Sequence, residues 1–198
     1  MNETLFWALI GFALIVSCTP GPNNAMLTAS GANFGFRRSI PHMLGINVGF
    51  PAMVLAIGLG LGTVFQAVPW LHTALKYIGA AYLLFLAWKI ANAGRAAGRE
   101  TAKPFTFLQA VAFQWVNVKG WINAVGALSA YTDPAGDAFG EAGRVALVYV
   151  GATIVSNTLW CGFGVAIGRL LKTERALRLF NWIMAAALAA SIIPVFLV

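Results

Sequence analysis

The chain has 198 residues, of which 60% are hydrophobic and only 10% charged, with a formal net charge of +7 at pH 7 and a mean hydropathy of +0.78. No soluble domain of this size hides so much apolar surface, so the composition specifies an all-α polytopic membrane protein. The positive balance does not point to nucleic acid, because the basic residues fall in short clusters between apolar segments, as orientation signals do. The partner implied is the lipid bilayer, and no stretch is long enough for a separate soluble domain, so 1–198 reads as a single transmembrane domain.

At roughly 20 apolar residues per crossing, six transmembrane helices are expected near 5–28, 40–63, 69–90, 106–131, 145–168 and 178–197. The start carries Glu3 and no Lys or Arg, and its apolar run continues past any cleavage site, which argues against a signal peptide. Within span 1, Thr19-Pro20-Gly21-Pro22-Asn23-Asn24 interrupts a charge-free run from Thr4 to Phe36. Two prolines two residues apart remove backbone donors and clash with the preceding turn, so a regular helix cannot pass. In lipid, irregular backbone survives only inside protein or beside a water-filled cavity. A helix broken at membrane depth and flanked by Thr and Asn is the substrate-site pattern of secondary transporters. Its free amides, with Asn23 and Asn24, would hold a carboxylate, helped by the field of the second half-helix. The bland reading is a proline kink that only shapes packing.

In span 2, Asn47 lies between Gly45 and Gly49, either lining that cavity or bonding to a neighbouring helix in a close-packed Gly-x-x-x-Gly surface. Gly58-x-Gly60-x-Gly62 would serve packing within or between protomers, so a homo-oligomer stays open. His42 and His72 fall near span ends, where contact with water is expected. Trp7, Trp70 and Trp88 read as interfacial anchors.

Span 4 carries Asn117, Lys119, Gly120 and Trp121. Lys119 is too deep to snorkel comfortably, so it faces a cavity or a partner. It either meets a substrate carboxylate or exchanges a proton, or it caps carbonyls of a broken helix. Two residues turn through about 200° on a regular helix, so Asn117 and Lys119 share a cavity only if the helix is distorted there. Span 5 offers Ser156, Asn157 and Thr158, with the same ambiguity as Asn47.

Ten Lys and Arg residues fall on one side of the predicted spans, among them Arg37, Arg38, Lys89, Arg95, Arg99, Lys103 and Arg169. The other side has two, Lys76 and Arg144, beside Glu3, Asp133, Asp137 and Glu141. The positive-inside rule puts both termini outside. Spans 4–6 then run opposite to spans 1–3, permitting two inverted three-helix repeats over 1–98 and 104–198. Thr19-Pro20-Gly21-Pro22 corresponds to Asn117-Val118-Lys119-Gly120, and Asn47 to Asn157.

No carboxylate lies deep in any span. A nucleotide-binding motif, a metal-ligand cluster and a pore-loop signature are all missing from the sequence. No catalytic residue, metal or cofactor is expected.

The residues Thr19-Pro20-Gly21-Pro22, Gly35-Phe36-Arg37, Gly79-Ala80-Ala81-Tyr82-Leu83 with Lys89, and Asn117-x-Lys119 resemble the LysE/RhtB family of amino-acid exporters over essentially the whole chain. Thr19 to Asn24, Ala87-Trp88-Lys89-Ile90-Ala91 and Phe113 to Lys119 are similar to its cysteine/O-acetylserine exporter branch. The resemblance implies efflux of a small amino acid or derivative (homoserine and threonine types included) across the bacterial inner membrane, driven by proton motive force. The family often has Asn-Pro-Lys in span 4 where this chain has Val118, which leaves the break there open. A rival from another class is a thiol-redox conduit using Cys18 and Cys161, although Cys161 falls in span 5 rather than span 4.

Overall fold

A computed structural model describes residues 3–61, 68–93, 103–133, 136–193 and 196. Of the sequence expectations, Gly62, Arg95, Arg99, the end of span 2, the boundary of the first repeat and the side chain of His72 lie outside the described residues. Within them the chain forms seven α-helices: α1 (Glu3–Cys18), α2 (Pro22–Ala56), α3 (Pro69–Ala91), α4 (Phe107–Val116), α5 (Val118–Tyr131), α6 (Ala138–Leu170) and α7 (Glu174–Ala190). A π-helical turn over Ile57–Leu61 extends α2. By length and composition alone, Pro22–Leu61 and Ala138–Leu170 are the stretches long and apolar enough to cross a membrane among the described residues.

The first of these is two helices rather than one. Gly35 has φ 77° and ψ 171°, a left-handed conformation that glycine adopts without steric cost. Five residues before it, Ser30 Oγ lies 3.0 Å from His42 Nδ1. Twelve residues of straight helix would hold these positions about 18 Å apart, so the chain turns back at Gly35. We call its arms α2a (22–34) and α2b (36–56). The connection expected between spans 1 and 2 thus shrinks to this one residue, and Arg37 and Arg38 are helical.

Helix α6 lies along both arms and makes the most extensive helix pair of the fold with α2. It begins at Ala138, seven residues before the expected span, where Asp137 accepts a hydrogen bond from the Gly140 amide, 2.8 Å, and caps its first turn. The pair depends on absent side chains: a Cβ on Gly31 would run into the Cys161 carbonyl, and one on Gly164 into that of Thr28. In lipid, where the hydrophobic effect between helices is lost, such backbone contact is the main source of helix association. Helix α7 runs from Glu174 to Ala190, and the expected end of span 6 at residue 197 lies outside the described residues.

Two larger apolar cores result. One joins α1, α2b, α5 and α6 around Tyr149; the other joins α2a, α3, α4 and α7 around Phe113. Outside them Leu147, Ile154, Leu159, Phe163 and Leu170 of α6 are exposed. An apolar face of this extent suits lipid rather than water.

Candidate functional site

Between α1 and α2 the chain leaves helical hydrogen bonding at Thr19, Pro20 and Gly21. Neither proline can donate, so carbonyls of the preceding turn lose their helical partners. The carbonyls of residues 17 to 20 are all satisfied from elsewhere. That of Ser17 accepts from Asn24 Nδ2 at 3.0 Å and Ser156 Oγ at 2.7 Å. That of Cys18 accepts from Trp160 Nε1 at 3.3 Å, and that of Thr19 from Asn24 Nδ2 at 2.8 Å. Lys119 Nζ donates to the Thr19 carbonyl at 2.6 Å and the Pro20 carbonyl at 3.1 Å. The lysine ammonium therefore sits on the C-terminal, partly negative end of α1.

The second half of the chain has a matching break without a proline. Asn117, with φ −83° and ψ 94°, separates α4 from α5. Its amide reaches back three residues to Gln114 at 3.2 Å, closing α4 tightly. The Trp115 carbonyl, which the Lys119 amide would take in a continuous helix, instead accepts from the Trp121 indole N–H at 2.9 Å. The break settles the question raised by Val118, and it turns Asn117 and Lys119 toward one space. Gly21 makes room for the lysine: a Cβ there would lie 2.8 Å from Lys119 Cδ.

The two breaks border one hollow. Gly21, Pro22, Asn23 and Asn24 line it from one break and Asn117, Lys119 and Gly120 from the other. Ser156 and Asn157 of α6 and Phe50 of α2b complete its walls. Helices α2a and α5 both start here, without a side-chain cap on either first turn, so two partly positive helix ends border the same space.

Several expectations need correction. Thr19 and Pro20 are exposed and do not line the hollow; they contribute the carbonyls that Lys119 binds. Asn47 lies behind the wall, accepting from Asn157 Nδ2 at 2.6 Å, so the interhelical alternative describes it. Asn24 spends its side-chain donor on the broken carbonyls, and Asn23 forms a reciprocal amide pair with Gln114 at 2.9 and 3.1 Å. Thr158 is exposed while Ser156 and Asn157 are buried. His42, expected to meet water, is completely buried. Gln114 was missed; a glutamine three residues before Asn117 in an apolar run was its available signal. Cys18 and Cys161 are free thiols.

One polar atom at the hollow lacks a partner. Asn117 is 4% exposed and its Oδ1 accepts no hydrogen bond. Leaving a buried acceptor empty costs about 1–3 kcal/mol, which a bound donor would recover.

The family model described as "LysE type translocator" matches residues 14–197. The chain is similar to the cysteine/O-acetylserine efflux protein of Escherichia coli K12, 32% identical over 99% of this chain and 100% of that one. It is likewise similar to the protein of the same name from Klebsiella pneumoniae, 32% identical over 95% of each chain. No solved structure matches significantly. The chain belongs to the LysE-type translocator family and is a membrane transport protein of amino-acid efflux, not an enzyme.

Proposed function

We propose that this protein exports a small neutral amino acid or derivative, of the cysteine or O-acetylserine kind, across the bacterial inner membrane by alternating access driven by proton motive force. The carrying observation is the empty Asn117 Oδ1, buried where two helix starts and a lysine meet. In this reading Oδ1 accepts from the substrate ammonium, while the first-turn amides of α2a and α5 hold its carboxylate. Lys119 keeps the α1 carbonyls satisfied when the site is empty and turns to the carboxylate when it is filled. Asn23, Asn24 and Asn157 hold the walls in place.

In this reading the helices make six crossings: α1 with α2a, α2b with its π turn, α3, α4 with α5, α6 and α7. Two inverted repeats then supply one broken helix each, and 1–198 acts as a single domain with both termini outside.

The test is an amino-acid profile of cells with and without the protein, challenged with dipeptides. Internal accumulation of cysteine or O-acetylserine only in cells lacking it is expected. Identical profiles in both strains for every amino acid would overturn the assignment.

A further inference from the structure

Toward Gly35, helix α2b runs on past the hollow. Ile46 lines it, and one turn further along α2b stands His42, fully buried. Its Nδ1 pairs with Ser30 Oγ of α2a at 3.0 Å. Its ring packs on Phe105, in the segment before α4, with centroids 5.0 Å apart. Over the same Phe105 ring, 4.6 Å from its centroid, lies Lys89 Nζ of α3, which also donates to Gln109 Oε1 at 2.9 Å. His42 Nε2 has no partner.

We infer that His42 is a proton-operated latch at this end of the hollow, closed over by Phe105 when the imidazole is neutral and released when the ring takes up a second proton. The reasoning is geometric. A neutral ring fits between Ser30 and Phe105 with its second nitrogen bare. A protonated ring would bring a second N–H with no acceptor and a second cation beside Lys89. Among the described residues, the charged group facing it is Lys89 of α3 and the neighbouring titratable group is the thiol of Cys161 on α6; α2a and the Phe105 segment present Ser30 and an aromatic ring. Among the described residues no carboxylate there balances the added charge, and a buried unpaired charge is among the costliest features a protein can hold. Protonation and this packing therefore exclude each other. Opening admits water to Nε2, and the same proton leaves to water before the latch can close.

The latch does not depend on the proposed substrate, so its test uses none. Cys161 is fully buried where α6 packs against Gly31, and a maleimide reaches it only if that packing parts. In purified full-length protein carrying Cys18→Ala, the labelling rate of Cys161 is measured from about pH 8 to about pH 5.5, across the ordinary histidine range. Each rate is divided by that of the unfolded protein at the same pH, which removes the loss of thiolate in acid. The normalised rate is expected to rise about tenfold on acidification and to stay flat in His42→Gln. Lys89→Met, which removes the neighbouring cation, should move the rise to lower pH. A flat wild-type profile, an unchanged rise in His42→Gln, or an unmoved rise in Lys89→Met would each overturn the latch.

Discussion

The break at residues 19–21 and the break at Asn117 reach similar shapes by different means. The first is compelled: Pro20 and Pro22 cannot donate, and the freed carbonyls draw Asn24, Ser156, Trp160 and Lys119 around them. The second has no proline, and it holds because Trp121 replaces the lost amide at the Trp115 carbonyl. Each break also completes the other, through Lys119 on the α1 end and the Asn23–Gln114 amide pair. A proline is thus not required to interrupt a membrane helix, provided that side chains take over the freed backbone groups, and a single one is not sufficient, since Pro41 and Pro51 both lie inside α2b.

The largest effect on this comparison should come from removing the side chain the two breaks share. Lys119→Ala leaves the Thr19 and Pro20 carbonyls without their donor and the site without its cation. Efflux from proteoliposomes should fall by at least about tenfold, the rate equivalent of roughly 1–3 kcal/mol, at unchanged membrane abundance. Next comes Gly164→Leu, which drives a side chain into the Thr28 backbone. Overpacking of this kind costs about 1–3 kcal/mol and should lower the melting temperature in detergent by several degrees.

Trp121→Phe keeps the ring but removes the N–H that satisfies Trp115. A loss of about 1 kcal/mol is expected, seen as a small fall in melting temperature, with a larger fall if the second break is less well supported than argued. The smallest effect belongs to Val118→Pro. Val118 is the first helical residue of α5, where proline's missing donor and fixed φ are tolerated. Its stability and transport should stay within about 0.5 kcal/mol of the parent; a marked loss would mean that the Val118 amide has a partner that matters.

The first break is legible because two prolines two residues apart remove donors from one turn, whereas the lone Pro41 and Pro51 stay inside α2b. The second was visible only as a polar, glycine-flanked lysine in an apolar run and through resemblance, since its cause, the Trp121 indole, acts across six residues. Spacing leaves open whether Asn47 lines the cavity or bonds to a neighbouring helix; in the fold it accepts from Asn157. Gln114 escaped notice because its partner Asn23 is 91 positions away. His42 was misplaced because a span boundary at residue 40 ignores the hairpin at Gly35, which buries that end of α2b against Ser30 and Phe105. Local chemistry was readable, whereas contacts between distant segments were not.

Asn117 Oδ1 is a buried acceptor that waits for a donor. Binding of O-acetylserine to the purified protein, measured at equilibrium for the parent and for Asn117→Leu, addresses it directly. The account predicts saturable binding in the parent, weakened by about tenfold or more when the carbonyl is lost. Equal affinity in the two proteins would contradict it.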